Sequence, residues 1–236
     1  MSKLEYELTT PIGHRATLGL VVLQSDETVE PELQSSLNQE GIALYVSRIE
    51  SHAEVTPETL KTMEAKLPAS VALFPPSLSF DVIGYACTSG ATIIGPERIS
   101  ELILSPGNCK FATNPLTALI ARCEDLGVKK LAYISPYIDE VSAPMRNHLE
   151  NKVGIKITKF ASFEEKEEEK VARIDPKSIL KACLDIAKDD DCDAVFLSCT
   201  NLRTIDIIPQ AEKALGKPVL SSNSVLEWHM RKLSGL

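Results

Sequence analysis

Two cysteines, Cys87 and Cys199, stand in matching local sequences, and paired thiols facing one substrate have a definite chemistry. One thiolate removes a proton α to a carboxylate while the other thiol delivers one to the opposite face. Alternatively, one thiolate adds to an activated double bond and the other group assists rotation and release. Both routes need preorganised donors for a developing oxyanion, and the Thr88-Ser89 and Thr200-Asn201 turns offer them. The match is gapless: 80–89 (FDVIGYACTS) lies over 192–201 (CDAVFLSCTN) at an offset of 112 residues. Asp81 falls on Asp193, Cys87 on Cys199 and Thr88 on Thr200. Chance does not place two cysteines at the same strand-end turn of two chain halves. An isolated free cysteine is usually core, and that reading is kept for Cys109, Cys123, Cys183 and Cys192, which lack the context.

The elements that must hold these thiols are legible as alternation. Short apolar, β-branched runs at 16–24, 42–49, 80–88, 109–113, 129–136, 154–161, 192–200 and 217–222 read as strands. Amphipathic stretches at 57–67, 114–127, 176–190, 206–216 and 222–235 read as helices, with Gly, Pro, Asp or Ser signals between. Nearly continuous apolar strands alternating with helices imply an α/β fold with parallel sheets covered on both faces. A second, looser match of 18–29 on 130–141 extends the repeat, so two similar lobes are expected. Their boundaries are set at 1–113 plus 221–236 for the N-terminal lobe and 114–220 for the C-terminal lobe. Ligands of open α/β sheets bind beyond the carboxyl ends of the strands, so both Cys-Thr turns should meet in the cleft between the lobes. Each thiol is expected at a helix N-terminus, the second helix from about 204, where dipole and free N–H groups favour thiolate and lower its pKa.

Composition narrows the partners. The 236 residues carry 44% hydrophobic and 25% charged side chains and a net charge of -8, which disfavours nucleic acid and anionic membranes. A small carboxylate remains acceptable, because a site can be locally positive in an acidic protein. The opening 1–15 has no apolar signal core, and no run of about 18 apolar residues occurs, so a cytoplasmic location without membrane contact is expected. The six cysteines form no CxxC pair and the four histidines have no zinc spacing, so neither structural disulfides nor a metal site is expected.

These residues resemble the aspartate/glutamate racemase superfamily, in the branch holding maleate cis-trans isomerase, arylmalonate decarboxylase and the ectoine-utilisation protein EutA. The resemblance runs in order through 19–32 (GLVVLQSDETVEPE), 84–90 (GYACTSG), the NP and helix at 114, 134–141 (ISPYIDEV), 171–174, 197–204 (LSCTNLRT) and 221–229 (SSNSVLEWH). It implies two pseudo-symmetric flavodoxin-like lobes, no metal or organic cofactor, and a homo-oligomer, dimer or tetramer. It further implies Cys87 as nucleophile or first base, Cys199 as second thiol, and Thr88, Ser89 and Tyr137 as holders of a substrate carboxylate. Decarboxylases of this branch keep only the second cysteine, so Cys87 disfavours simple decarboxylation. Two departures stand out. Asp26 occupies the place of an Asn in the PSSN-like turn of maleate isomerases, and 162–174 (SFEEKEEEKVARI) shows no equivalent of a second Asn. That acidic run reads as a solvated helix or loop, with a lid as the other reading. Both segments look more like EutA.

A fixed Asp26 anion beside a second substrate carboxylate costs about 4 kcal/mol at ~4 Å for an effective dielectric near 20, whereas an ammonium or amide N–H is welcome there. The leading expectation is therefore a racemase or epimerase acting on an amino-acid-like carboxylate. Maleate cis-trans isomerisation through a Cys87 adduct is the alternative, and a non-catalytic small-molecule binding protein on the same fold is a third. The expected site comprises Cys87 and Cys199 with Asp26, Thr88, Ser89, Tyr137, Thr200 and Asn201. His229 reads as a packed or surface helix residue, Arg203 as an anion guide or a partner of Asp206, and Trp228 as core.

Overall fold

Strand β1 (Ala16–Leu23) is buried at all eight positions, as a parallel strand must be when helices cover both faces of its sheet. The computed structural model describes residues 3–188 and 191–236. After β1 come α1 (Val29–Leu37), β2 (Ile42–Ile49), α2 (Pro57–Val71), β3 (Phe80–Ala86), α3 (Thr88–Ile94), α4 (Pro96–Leu104) and β4 (Cys109–Thr113). The second half runs α5 (Pro115–Leu126), β5 (Lys130–Tyr137), α6 (Asp139–His148) with a π-helical turn to Val153, and β6 (Lys156–Glu165). It continues through α7 (Glu168–Val171), α8 (Pro176–Ala187), β7 (Ala194–Leu197), a 3-10 turn (Ile205–Ile207), α9 (Ile208–Leu215) and β8 (Val219–Ser221) to α10 (Ser222–Ser234). The last two residues of the helix expected over 176–190 lie outside the described residues.

The strands form two four-stranded sheets of one topology, β2-β1-β3-β4 and β6-β5-β7-β8, and every pairing is parallel. The duplication read from the sequence extends to its anchoring carboxylates. Asp81 Oδ2 accepts from the Thr17 amide at 2.9 Å, and Asp193 Oδ2 accepts from the Lys130 amide at 2.8 Å. Each Asp thus ties the start of its lobe's third strand to the start of the first.

Packing explains why the strands cannot shift. A Cβ on Gly19 would sit 2.7 Å from Ile83 Cγ1, so β1 and β3 approach closely only because that position lacks a side chain. One apolar cluster joins the β1 residues Leu18, Leu20 and Val22 to Leu33 and to Leu226 and Met230 of α10, which folds back from the chain end onto the first sheet. The larger cluster runs through both lobes, from Phe80 and Tyr85 to Tyr133 and Phe196. Helix starts follow their side chains: Thr56 and Ser221 make reciprocal capping boxes on α2 and α10, and Asn114 caps α5. Trp228, expected in the core, is instead half-buried, stacked with Arg122 and Lys232 against its ring. Among the described residues no helix is long and apolar enough to cross a membrane.

Candidate active site

Cys87 follows β3 and is itself the N-cap of α3, its Sγ accepting from the Gly90 amide at 3.2 Å. Cys199 lies two residues past β7, its Sγ accepting from the Asn201 amide at 3.2 Å. The topology carries both to one cavity at the carboxyl ends of the two sheets, as the repeat predicts. Asp26, Thr88, Ser89, Tyr137 and Thr200 line the same cavity, and Leu23, Val55 and Leu60 close its apolar side. Its volume is about 10 Å³, room for roughly one water. The four other cysteines are not among the lining residues.

The acidic run contributes a residue that the sequence reading missed. Glu168 is buried in this cavity while its neighbours Glu167 and Glu169 stay exposed. Its Oε1 accepts from the Tyr137 hydroxyl at 2.5 Å and its Oε2 from Asn201 Nδ2 at 2.6 Å. The Tyr137 hydroxyl lies 3.1 Å from Cys199 Sγ, so Glu168, Tyr137 and Cys199 form one continuous hydrogen-bonded chain. The segment is neither freely solvated nor a loose lid. Glu54 and Glu167 form an antiparallel bridge, the Glu168 amide donates to Ala53 O at 3.2 Å, and the Val55 amide donates to Lys166 O at 3.3 Å. This strap, an isolated bridge between 53–55 and 166–168, lies beside the cavity that Val55 and Glu168 line. Glu164, at φ 56, turns the chain into it through left-handed backbone that a non-glycine residue adopts at a cost. No local signal separates Glu168 from the other glutamates of the run.

Asp26 is placed where the resemblance put it, but half of it is already occupied. Its Oδ1 accepts from the Thr28 and Val29 amides at 2.8 and 2.9 Å, ordering the turn into α1. Its Oδ2 is buried with no hydrogen-bond partner. Asn201, expected to touch substrate, does not line the cavity. Its Oδ1 accepts from the Glu27 amide at 2.9 Å and its Nδ2 donates to Glu168, so it latches the first lobe to the strap. The hydroxyls are also partly committed: Thr88 donates to Ser222 at 2.7 Å and Thr200 to Ala86 O at 3.3 Å. Arg203 points elsewhere, its Nε donating to Ala172 O, and His229 Nδ1 bonds Thr113.

The electrostatics overturn one expectation. Helix N-termini were to favour thiolates, but burial pushes the Cys87 thiol up to about 12, and the Glu168 and Asp26 carboxyls push the same way. Cys199 is raised well above the ordinary thiol range by the same burial and the same two acids. It follows a tight turn rather than starting a helix, since only a 3-10 turn begins at Ile205. Burial raises Glu168 to about 7, against the lowering effect of Tyr137 and Asn201, and burial raises Asp26 above the usual carboxylate range. Among the described residues no Lys, Arg or His lines the cavity.

Two lobes of one topology, each delivering a cysteine from beyond its third strand to a shared cavity, define an enzyme with the aspartate/glutamate racemase fold. The chain belongs to the arylmalonate decarboxylase family, whose family model matches residues 108–236. It is 28% identical over 222 residues to the maleate isomerase of Geobacillus stearothermophilus, covering 87% of this chain and 86% of the relative. It is 28% identical over 201 residues to the arylmalonate decarboxylase of Bordetella bronchiseptica, covering 85% of this chain and 76% of the relative. The crystal structure of the maleate isomerase Iso from Pseudomonas putida superposes with a TM-score of 0.84 at 23% identity, covering 94% of this chain and 93% of that one. Similar in fold, with a TM-score of 0.82, 23% identity and coverage of 94% and 93%, is a cysteine-to-serine mutant of Nocardia farcinica maleate cis-trans isomerase with a covalently bound succinylcysteine intermediate.

Proposed function

We propose that this protein is a cofactor-independent cis-trans isomerase of a small unsaturated dicarboxylate, converting maleate to fumarate through an adduct on Cys87. The observation that carries the reading is the convergence of both thiols on one closed cavity. A cavity holding both thiols suits addition and elimination, because one sulfur can bond carbon while the other supplies and recovers a proton. The relatives named maleate isomerase direct the substrate choice toward the dicarboxylate and away from the leading expectation of an amino-acid racemase.

In this reaction Cys87 Sγ bonds C2 of maleate as the π pair moves to C3. Cys199 S–H gives its proton to C3, and the proton released by Cys87 restores the Cys199 thiol. The net step is addition of one S–H across the double bond, so no co-reactant is needed. Rotation about the new C2–C3 single bond precedes elimination: the Cys199 thiol passes its proton to the departing Cys87 sulfur and takes the C3 proton in its place, the C–S bond breaks, fumarate leaves, and both thiols are restored. Tyr137 holds Cys199 in place through its 3.1 Å contact. The cavity is far smaller than a four-carbon diacid, so it must widen to admit the substrate.

One observation favours a second reading. The unpartnered, buried Asp26 Oδ2 suits a substrate ammonium or amide N–H, as in an EutA-like racemase of an amino-acid derivative. Incubation with maleate in D2O, followed by NMR, separates the two: fumarate appearance supports isomerisation. Exchange of the α-proton of an amino-acid derivative, with maleate left untouched, supports racemisation.

A further inference from the structure

The cavity poses a charge problem for the proposed substrate. A dicarboxylate brings two negative charges to a space already lined by two carboxyl groups, Asp26 and Glu168, with no cationic side chain among the described lining residues. Four unbalanced charges in a nearly dry cavity are not tolerable, because like charges in low dielectric repel strongly and water cannot screen them. The nearest cation to Asp26, Arg48, does not line the cavity. Its Nη1 donates to the Asp26 backbone oxygen at 2.9 Å and its Nη2 to Glu30 at 2.6 Å. Arg173 is likewise turned to Glu27, and Lys170 to Glu167.

We propose, building on the isomerase reading, that Asp26 and Glu168 hold the substrate's carboxylates as neutral carboxylic acids, so that the dicarboxylate enters together with protons. The geometry of Asp26 is suited to this. Its Oδ1 is fixed by two amides, and Oδ2 is buried with no hydrogen bond of good geometry; the Thr200 hydroxyl beside the carboxyl already donates to Ala86 O, so Oδ2 can carry a proton aimed at a substrate oxygen. Glu168 differs: Tyr137 and Asn201 both donate to it in the free protein. Protonated at Oε1, it donates instead, and the Tyr137 hydroxyl turns toward Cys199 or the substrate. The groups facing the pair are Cys87, Cys199, Tyr137, Thr200 and Asn201, and the cation acting on it is Arg48, which is held at the Asp26 backbone oxygen and favours the charged form of Asp26 less than burial opposes it. Burial already biases both acids toward the protonated form. A second consequence follows for the chemistry. Neutral Asp26 and Glu168 no longer oppose ionisation of Cys87, so binding the substrate with protons also removes part of what holds the nucleophile as a thiol. An Asn at position 26, as in the maleate isomerase pattern, supplies an N–H donor at every pH; an acid supplies a donor only when protonated.

Calorimetric titration of the Cys87→Ser variant with maleate, in phosphate and in Tris at matched pH between 6 and 9, reads the protons taken up per ligand. The proposal predicts uptake of one to two protons at pH 8, and affinity that weakens about tenfold per pH unit for each proton taken up. Adding Asp26→Asn should cut uptake by about one proton and flatten the affinity profile. Adding Glu168→Gln, tested independently in case the first change disturbs the turn into α1, should remove the remainder. Maleate binding with no proton uptake and a flat profile overturns the proposal while leaving the isomerase reading intact. Proton-coupled binding of a different dicarboxylate, with maleate ignored, upholds the proposal and rejects maleate as substrate. Binding of an amino acid without proton uptake, and of no dicarboxylate, rejects both.

Discussion

Glu168 carries a proton in the folded protein over a pH range in which the unfolded chain has released it. Its folded pKa is about 7 against an ordinary 4.5, so between these values the native state binds more protons than the unfolded state. Stability from this group is therefore full below the ordinary value and is lost as pH rises through about 7. Thermal unfolding from pH 5 to 8 should show a falling Tm that Glu168→Gln flattens; an unchanged slope in the variant would place the charged form in the native cavity. The cysteines, Tyr137 and Asp26 were legible because each sits in a repeated or family-like turn. Glu168 was not, because a run of alternating glutamates and lysines gives every carboxylate the same local context. Only the strap, a contact between segments more than a hundred residues apart in sequence, turns that one inward. The thiol pKa expectation failed for a related reason: a helix terminus is visible in sequence, but burial among two carboxyls is not.

At the scale of elements, the turn from β3 into α3 fixes the reactive sulfur. A Cβ added at Gly90 would fall 2.9 Å from Cys87 Sγ and 2.6 Å from the Tyr85 hydroxyl, so one of them must move. Gly90→Ala should lower kcat by roughly a hundredfold, the effect of an ångström-scale misplacement, with little change in far-UV circular dichroism. The start of α5 supplies the contrast. Asn114 Oδ1 accepts from the Thr117 amide at 3.0 Å. Asn114→Ala should cost about 1 kcal/mol of stability and ~2–4 °C in Tm while leaving the reaction's pH dependence alone. All eight strands lie near their expected runs: β1, β3, β5, β7 and β8 because buried parallel strands are nearly continuous apolar runs, the less buried β2, β4 and β6 because β-branched and aromatic residues mark them. The helices α1 and α6 escaped the reading: their first turns, rich in acidic residues, follow strand-end turns whose polarity resembles a loop.

Across the whole molecule, two sheets of one topology meet through buried and partly buried polar bonds. Glu32 of α1 accepts from the Thr204 amide at 2.8 Å, Asn223 of α10 donates to Thr200 O at 2.9 Å, and Asn201 joins Glu27 to the strap. The ion pair of Arg173 with Glu27 is half-exposed. Arg173→Ala should therefore change stability by less than ~1 kcal/mol, whereas Asn201→Ala, which strands buried partners, should cost about 1–3 kcal/mol; denaturant midpoints compare them. The duplicated architecture was visible in sequence through a gapless ten-residue match and a second, looser one, whereas the partners of the lobe-to-lobe latch were not: Asn201 ends the matched segment, but nothing in it shows that the side chain turns to Glu27 and Glu168. In the proposed reaction both thiols act on one dicarboxylate, Cys87 by bonding carbon and Cys199 by moving the proton. The most direct measurement is proton NMR of maleate with the intact protein, paired with intact-mass analysis of Cys199→Ser after the same incubation. Fumarate is expected from the intact protein, none from Cys87→Ser, and a succinyl adduct on Cys87 in Cys199→Ser. Fumarate formed by Cys87→Ser, or no fumarate from the intact protein at any pH between 6 and 9, would contradict the proposed reaction.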